Sequence, residues 1–598
     1  MRQVLLWFCF LVGCGLFAQV SSANAANSLT QELLEYQPPL KPVRKPPPPK
    51  TGEISDTELL KYRHIFALQK KAKWDEADFV IKALEDRRLM GYVLRERYLH
   101  PTGYTSSYQE LKDWLNDYAD HSGADRIYKL AVKKAREVGG AGLQMPKKVE
   151  TVHRYIDITR KSKGLYSDGT PRSSSQKEAF LSLSERIRAK TRNERPTQAL
   201  EILDAEKTSL TNLDYHRLKA QIAASYMHEG KLTRAQEISR ECVKEEGQKV
   251  PLAAWVAGLT SWRKGQYQEA AKSFEVAASS IYANSWTVSG AAFWASRAHM
   301  RAGNFNAVSL WLNRAASQPR TFYGLIAMRA LSRPLDFDWA ITPLGTSQKI
   351  LLARNPAAVR GLGLAKLGLF EDAEREFLFV EKNENPDIRR AVISVADEIK
   401  SAGMAWRGAS YLLMLEQADV PLAAQYPVMG WQSEGKYRIE PALLHAIVRQ
   451  ESRFNPAAGN PSGASGLMQL LPSTGRGIMG DDVFDAAGGE RALFDPKFNI
   501  RAGSKYTHEL FKRYVTNRNL FDLLIAWNAG PGNLQRWKKR LKNIDDPLLF
   551  IETIPVAETR AFVERVMTNY WLYQNRFDQE TPSLDAVAEG KWPIYGYQ

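Results

Sequence analysis

The sequence is most informative at Ala442-Leu-Leu-His-Ala-Ile-Val-Arg-Gln-Glu-Ser-Arg-Phe-Asn-Pro456, in the C-terminal third of a 598-residue chain. Proline precedes this stretch at Pro441 and closes it at Pro456. Because proline fits the first turn of a helix but not its interior, the pattern predicts a helix that opens at Pro441 and ends just before Pro456.

A glutamate lies on the apolar side of this predicted helix. Leu444, Ile447 and Val448 mark the apolar stripe, and Glu451 follows them at helical spacing on the same stripe. Burial of a carboxylate costs free energy, so we expect the pKa of Glu451 to be raised. A carboxylic acid that is still protonated near neutral pH can act as a general acid. The alternative is a helix end whose last turn emerges into solvent.

A turn-rich segment follows at Asn460-Pro-Ser-Gly-Ala-Ser-Gly-Leu-Met-Gln-Leu-Leu-Pro-Ser-Thr474. Gly463 and Gly466 permit a tight turn and a close approach of backbone to a ligand. Met468 offers an apolar contact, and the Gln469 amide can both donate and accept hydrogen bonds. A small β element is expected near residues 463–470, and helices are expected at about 498–514, 519–528 and 556–576.

The order of these and later motifs resembles the soluble lytic transglycosylases, enzymes with a goose-lysozyme-like domain that cut bacterial cell-wall glycan. Six matching motifs in order across roughly 110 residues make a chance match improbable. The matching residues are Glu451-Ser452, Phe454-Asn455-Pro456, Gly463-Ala-Ser-Gly-Leu-Met-Gln469, Leu493-Phe-Asp-Pro496, Asn528-Ala-Gly530 and Glu558-Thr-Arg560. The chain departs from the family at Asn460, where serine is usual, at Trp527, where tyrosine is usual, and at Leu471, where methionine is expected.

The resemblance implies a reaction with one acid. Glu451 would protonate the glycosidic oxygen and then, as a carboxylate, take the proton from the 6-hydroxyl of the muramic sugar, which attacks its own anomeric carbon. Glycosidases usually need two carboxylates. Asp495 is expected to cap a helix and Asp481 and Asp482 to lie in an exposed loop, which leaves Glu558 as the better candidate. Because Glu558 lies in a first helical turn, where an acid is favoured anyway, the sequence shows no convincing second carboxylate. The predicted substrate-binding residues are Gln469, Met468, Gly466, Asn460, Trp527, Asn528 and Glu558, each with ordinary packing as the alternative. Gln469 and Asn528 would orient sugar groups, Met468 and Trp527 would supply apolar contact or stacking, and Glu558 would stabilise the transition state or orient the N-acetyl group.

The N-terminal residues read as an export signal and a spacer. Residues 1–25 have one charge, an apolar run and a small-x-small site at Ala23-Asn-Ala25, which predicts a cleaved signal peptide. Leu11-Val-Gly-Cys14 also resembles a lipoprotein processing box, which would leave a lipid on Cys14. Residues 26–56 are rich in proline and are expected to be a disordered linker.

Residues 57–425 read as helix after helix with a recurring glycine turn. Gly230, Gly265 and Gly303 are separated by 35 and 38 residues, close to the helix-turn-helix repeat of tetratricopeptide-like solenoids. In each copy a glycine ends one helix and an alanine begins the packing of the next. Gly368 opens a further copy, and Ala72 opens a degenerate one. Three alternative roles are open for this region. It binds partner proteins; or, as the resemblance implies, it forms a ring that frames the catalytic domain and holds a glycan strand; or it only stabilises the catalytic domain.

Composition restricts the partners. The formal net charge of +16 favours an anionic partner, and in an exported protein a cell-wall polymer or membrane surface fits better than nucleic acid, for which no motif is present. Only the signal segment approaches the length of a membrane span. No metal-ligand spacing, phosphate loop or nucleophile elbow is present, so no cofactor is expected. Cys242, the one cysteine outside the signal, is expected to be a buried hydrophobic residue.

Together these features predict a mostly α protein, with an α-superhelical solenoid or ring over 57–425 and a lysozyme-like domain with a small β element over 426–598. The predicted function is periplasmic cleavage of the β-1,4 bond between N-acetylmuramic acid and N-acetylglucosamine in peptidoglycan strands, by a monomer that could also contact cell-wall machinery through its helices. The alternatives are a muramidase that uses water, a wall-binding scaffold with weakened activity, and a repeat protein whose main role is partner binding.

Overall fold

The computed structural model describes residues 52–147, 169–381, 385–415, 419–433, 435, 438–513 and 516–596. The predicted signal peptide, Cys14 and nearly all of the proline-rich segment lie outside these residues. Residues 52–596 belong to one compact unit, and none of their helices is both long and apolar enough to cross a membrane.

The first part of this unit is a succession of helices that pack mainly against their neighbours in sequence. Most pairs bury an apolar face against the pairs beside them, which is the packing of a helical repeat array. In addition, residues 54–93 share one apolar cluster with residues 352–405, so the first helices of the body also pack against its last ones. The body helices are α1 (Asp56–Lys70), α2 (Trp74–Lys82), α3 (Met90–Tyr98), α4 (Tyr108–Tyr118), α5 (Ala124–Val138), α6 (Ser174–Arg192), α7 (Pro196–Ala205), α8 (Asn212–His228), α9 (Leu232–Glu246), α10 (Pro251–Arg263), α11 (Tyr267–Ser279), α12 (Ser285–Ala302), α13 (Phe305–Ala316), α14 (Phe322–Ala330), α15 (Thr346–Ala353), α16 (Pro356–Lys366), α17 (Phe370–Glu381), α18 (Pro386–Glu398), α19 (Ala402–Met414) and α20 (Leu422–Gln425). Short 3-10 helices lie at Lys207–Ser209 and Gly247–Lys249.

The recurring glycine turn has the predicted conformation. Gly230, Gly265, Gly303 and Gly368 have φ of 82°, 71°, 77° and 79°, each just after a helix. This left-handed conformation closes a helix at no steric cost to glycine. Ala72, in the degenerate copy, adopts the same conformation with φ of 55°. The alanines that begin the following helices are buried at Ala77, Ala235, Ala270 and Ala373, whereas Ala307, in the copy that Gly303 opens, is only partly buried. Close packing of the next helix therefore holds at four of the five turns.

The C-terminal lobe is built around the predicted helix at 441–451. It is formed by α21 (Pro441–Glu451), α22 (Pro472–Met479), α23 (Asp481–Ala486), α24 (Pro496–Lys512), α25 (Leu520–Ala529), α26 (Pro531–Arg540), α27 (Pro547–Thr553), α28 (Ala557–Arg576), α29 (Pro582–Ala588) and a 3-10 helix at Gly489–Phe494. Helix α28 packs against both α21 and α25. Leu444, Ile447 and Val448 on α21 are fully buried, which confirms the predicted apolar stripe.

The predicted β element near residues 463–470 is smaller than a strand pair. Isolated antiparallel bridges join Ser465 to Gly459 and to Leu470. The remaining backbone groups of this segment make turn hydrogen bonds, such as that from the Gly466 N–H to the Ala458 carbonyl at 2.8 Å. The segment is therefore a compact loop held by local bonds.

The lobe shares one continuous apolar core with residues 180–327 of the body, while most buried apolar residues of 54–93 and 352–405 form a separate cluster. Phe322 on α14 stacks on Trp571 of α28 with ring centroids 5.3 Å apart and planes 14° apart. The neighbouring Tyr323 hydroxyl donates to Glu552 on α27 at 2.5 Å, inside the core. These contacts hold the ends of α27 and α28 against the body.

Candidate active site

Glu451 is the last residue of α21, and the chain leaves the helix there in a strained turn. The Ser452 N–H donates to the Val448 carbonyl and closes the helix. Arg453 and Phe454 then adopt φ of 55° and 62°, a left-handed conformation that costs each non-glycine residue about 1 kcal/mol or more. Phe454 is 1% exposed, and burial of its ring offsets this cost. The turn thus fixes the end of α21.

The Glu451 carboxyl is held by one direct hydrogen bond. The Trp527 indole N–H donates to Glu451 Oε1 at 2.8 Å. Burial raises the pKa of Glu451 from 4.5 to about 7, the indole donor opposes that rise, and the negative charge of Glu558 adds to it. Part of the Glu451 side chain is exposed, so solvent and ligands can reach it. A carboxyl with this pKa can give up a proton and take one back near neutral pH.

Trp527 and Asn528 lie at the end of α25, next to the start of α28. Asn519 caps the first turn of α25 by accepting from the Phe521 N–H at 2.9 Å. At the other end, Asn528 Oδ1 accepts from the Thr559 hydroxyl at 2.7 Å. Glu558, in the first turn of α28, is exposed. The structure therefore brings Glu451, Trp527, Asn528 and Glu558 to the meeting point of three helix ends.

Gly466 supports the site from within and is not on its surface. It is buried, with φ of 79°. A Cβ placed there would stand 1.9 Å from the Leu493 carbonyl oxygen and 2.3 Å from Asn499 Nδ2. The predicted close approach at Gly466 is therefore to the protein's own backbone. The role of Gly466 in substrate binding stays a prediction, and its buried position leaves it little exposed surface.

Met468 is likewise buried, and its contact with substrate stays a prediction. Its side chain is 0% exposed, and its sulfur lies 2.2 Å from the position that a Cβ on Gly503 of α24 would occupy. The missing side chain of Gly503 thus makes room for the methionine. Met468 has no surface that a sugar could touch in this structure, because tertiary packing against α24 uses all of it.

The two remaining amides stabilise the loop. Gln469 has φ of 46°, and its Nε2 donates to the carbonyls of Ala458 at 3.0 Å and Gly466 at 2.9 Å. Its side chain is partly exposed, which leaves Oε1 for a ligand. Asn460 is exposed, and its Oδ1 accepts from the Ala464 N–H at 3.0 Å. The amides of both residues are therefore partly used within the loop.

Two residues that support the site, Tyr506 and Asn499, belong to none of the sequence motifs. Tyr506 on α24 packs against Trp527 with ring centroids 5.2 Å apart and planes 47° apart, so it supports the indole that holds Glu451. Asn499, also on α24, is fully buried; it accepts from the Met468 N–H at 2.8 Å and donates to the carbonyls of Ser465 at 3.0 Å and Leu493 at 2.7 Å. The spacing of neither residue in the sequence indicates these contacts.

Other reactive groups lie in the core, away from Glu451. His445 is buried between the Met429 N–H and the Pro441 carbonyl, and burial lowers its pKa to about 4. Cys242 is fully buried, as predicted. Across the described ranges, no group of three or more His, Cys, Asp or Glu side chains is placed to hold a metal ion.

Comparison with known proteins agrees with this geometry. Residues 431–550 match the family model described as Transglycosylase SLT domain. The soluble lytic murein transglycosylase of Escherichia coli (strain K12) is 35% identical over 144 residues, which are 24% of this chain and 22% of that protein. The protein of the same description from Salmonella typhimurium (strain LT2) is 27% identical over 287 residues, 46% of this chain and 42% of that protein. The chain thus spans less than half the length of these relatives.

Most of the chain also has a structural counterpart. The X-ray structure of an inactive mutant of lytic transglycosylase Slt from Pseudomonas aeruginosa matches 88% of this chain and 87% of that chain, with a TM-score of 0.50 and 18% identity. At this identity the likeness shows the fold, and it confirms the predicted helical body followed by a lysozyme-like lobe. The match of residues 431–550 to the SLT domain model confirms the resemblance that the motifs predicted.

Proposed function

We propose that this protein is a peptidoglycan lytic transglycosylase. The observation that carries the proposal is Glu451, a reachable carboxyl whose pKa burial raises to about 7 and which a single indole donor holds in place. The matched domain and relatives are described as transglycosylases. The crystallised Pseudomonas aeruginosa protein is inactive with a glutamate-to-glutamine change, which supports a glutamate as the essential group.

The first step uses Glu451 as an acid. Its protonated carboxyl donates to the oxygen between N-acetylmuramic acid and N-acetylglucosamine while the bond from that oxygen to the anomeric carbon breaks. Positive charge then develops on the muramic ring, and the exposed carboxylate of Glu558 lies near enough to influence the Glu451 charge. Two negative groups beside the site stabilise such a cation electrostatically.

The second step uses Glu451 as a base. The 6-hydroxyl of the muramic sugar attacks its own anomeric carbon, a new carbon–oxygen bond forms, and the Glu451 carboxylate accepts the hydroxyl proton. The enzyme regains its proton, no water is consumed, and the product has a 1,6-anhydro end. An attacking group in the same molecule carries a large effective concentration, so the protein needs no nucleophile of its own.

The neighbouring side chains have supporting roles in this proposal. Trp527 orients Glu451 Oε1 and presents part of its ring to the sugar. Asn528 Nδ2 and Gln469 Oε1 are the polar groups that the internal hydrogen bonds leave for the sugar amide and hydroxyls. Asn460 borders the same loop at its exposed end.

The predicted export signal places this reaction in the periplasm, where the substrate lies. A body joined to the lobe through a continuous core would hold a glycan strand in register with Glu451. The formal net charge of the chain, +16, favours binding to a polymer that carries carboxylates.

Clearance of purified cell-wall sacculi by the full chain tests the proposal. We expect Glu451→Gln to lower the rate of clearance by at least about 100-fold, the usual contribution of a general acid. Glu490, on the exposed 3-10 helix, provides the matched control, and Glu490→Gln is expected to keep the parent rate. Equal rates for Glu451→Gln and the parent would contradict the assignment.

A further inference from the structure

A cavity lies in the C-terminal lobe, and neither Glu451 nor its neighbours in the candidate active site line it. Its volume is about 360 Å³, within the range of small-ligand sites. Its walls come from α26 and the loop after it, from the start of α25, and from residues 592–594. The last wall is fixed, because the Leu520 N–H donates to the Pro593 carbonyl at 2.8 Å and Ile594 forms a bridge with Asn519.

One side of the cavity is aromatic. Trp592 meets Phe550 edge to face, with ring centroids 5.4 Å apart and planes 66° apart. Phe550 is buried, whereas Trp592 is partly exposed. Ile594 lines the same cavity and is 53% exposed. The indole therefore offers apolar surface to a flat ligand at a mouth that is open to solvent.

The opposite side holds an unsatisfied carboxyl. The Asp522 side chain is 2% exposed, and its Oδ2 accepts from the Lys538 ammonium at 2.7 Å. Its Oδ1 is buried and has no hydrogen-bond partner among the described residues. Burial raises the pKa of Asp522 to about 6 against the effect of Lys538. A buried acceptor without a donor is rare in native proteins and calls for an explanation.

The lining narrows the chemistry of the ligand. Asp522 needs a hydroxyl or N–H donor, Lys538 and the exposed Lys542 offer donors to oxygen, and Trp592 suits the apolar face of a ring. A purely apolar ligand would leave Asp522 Oδ1 unpaired, and a compact anion would lie beside a carboxylate. A neutral ring that bears several hydroxyls matches all three groups.

We infer that the cavity bounded by Trp592, Asp522 and Lys538 is a second saccharide site that takes one neutral sugar ring of the N-acetylglucosamine class. The choice of sugar rests on the proposed function, because that sugar alternates along the proposed substrate. Asp522 and Trp527 belong to the same helix, α25, and lie about 8 Å apart along its axis. A sugar at this site would thus be anchored to the helix that carries the Glu451 partner.

The test is sugar binding to the full chain with 5-fluorotryptophan in place of tryptophan, in the Glu451→Gln background so that no cleavage occurs. The fluorine resonance of Trp592 is assigned from its loss in Trp592→Phe. N-acetylglucosamine is expected to shift this resonance saturably with a dissociation constant of about 1 mM, the order for a ligand of this size. N-acetylmuramyl dipeptide and acetate are the anionic comparison probes.

Ile594→Arg, at the mouth, is expected to weaken binding at least about tenfold. Ile350→Arg is its matched control, because Ile350 on α15 is 54% exposed, and it is expected to bind like the parent. An unmoved Trp592 resonance at about 50 mM sugar, an equal shift in Ile594→Arg, or a response to the anionic probes alone would overturn the inference. This readout needs no catalysis, so its failure differs from loss of sacculus clearance, which tests the proposed function.

Discussion

The bond between Trp527 and Glu451 gives the sharpest prediction, through Trp527→Phe. The change removes the indole N–H that donates to Glu451 Oε1 at 2.8 Å but keeps a ring against Tyr506. The donor favours the ionised carboxyl, so its loss raises the pKa of Glu451. A hydrogen bond to a charged group contributes about 1.5–3 kcal/mol, and 1.36 kcal/mol corresponds to one pKa unit. Since the side chain is partly exposed, we expect the lower end, a rise of about 1 unit.

The assay is the initial rate of muropeptide release from sacculi, measured across pH values on both sides of the Glu451 pKa of about 7. The acid must be protonated, so the alkaline limb of the profile reports this pKa, and in Trp527→Phe it should move up by about 1 unit. Tyr506→Phe, which retains the indole donor, should leave the limb in place. A folded Trp527→Phe enzyme whose alkaline limb is unmoved or lies at lower pH would refute the reasoning.

Three further results concern stability, measured by urea unfolding. Gly466→Ala should lower the free energy of unfolding by more than about 3 kcal/mol, since its Cβ would meet the Leu493 carbonyl at 1.9 Å. Gly532→Ala, whose Cβ would have no atom within 4 Å, should change the free energy of unfolding little. Equal losses in the two variants would argue against the close approach at Gly466. Asn499→Ala should lower the free energy of unfolding by about 3 kcal/mol, because it breaks three buried hydrogen bonds. A loss near zero would contradict the role of Asn499 in holding the loop. Burial raises the pKa of Glu451 in the folded protein from 4.5 to about 7, so the protonated carboxyl contributes stability that is fully present below pH 4.5. This contribution, at most about 3 kcal/mol, is lost as the pH rises through 7. Glu451→Gln should lack this loss, and parallel profiles for the two proteins would count against the raised pKa.

The sequence predicts the elements that depend on local patterns. Pro441 and the apolar spacing locate the start of α21, but the helix ends at Glu451, about one turn before the predicted end at Pro456. It ends early because Arg453 and Phe454 adopt a left-handed conformation. The Asp495-Pro496 pair predicts a helix start, and Asp495 Oδ1 accepts from the Phe498 N–H at 2.7 Å. The glycine turns of the body are also predicted from local sequence, because backbone sterics alone favour glycine in a left-handed conformation.

Roles that depend on tertiary packing could not be predicted from the sequence. Met468 and Gly466 belong to a motif that indicates a ligand loop, yet contacts with α24 bury both. Trp527 reaches Glu451 across 76 positions of sequence, and no periodicity encodes that distance. Tyr506 looks like any partly buried residue of an amphipathic helix until α24 is packed against α25.

Mass spectrometry of the muropeptides that the full chain releases from sacculi tests the central claim most directly. The account predicts 1,6-anhydromuramic ends, lighter by one water than reducing ends, and predicts that Glu451→Gln releases almost none of them. Reducing ends from the parent would show that water is the nucleophile, and anhydro ends released at the parent rate by Glu451→Gln would show that the acid and base lies elsewhere.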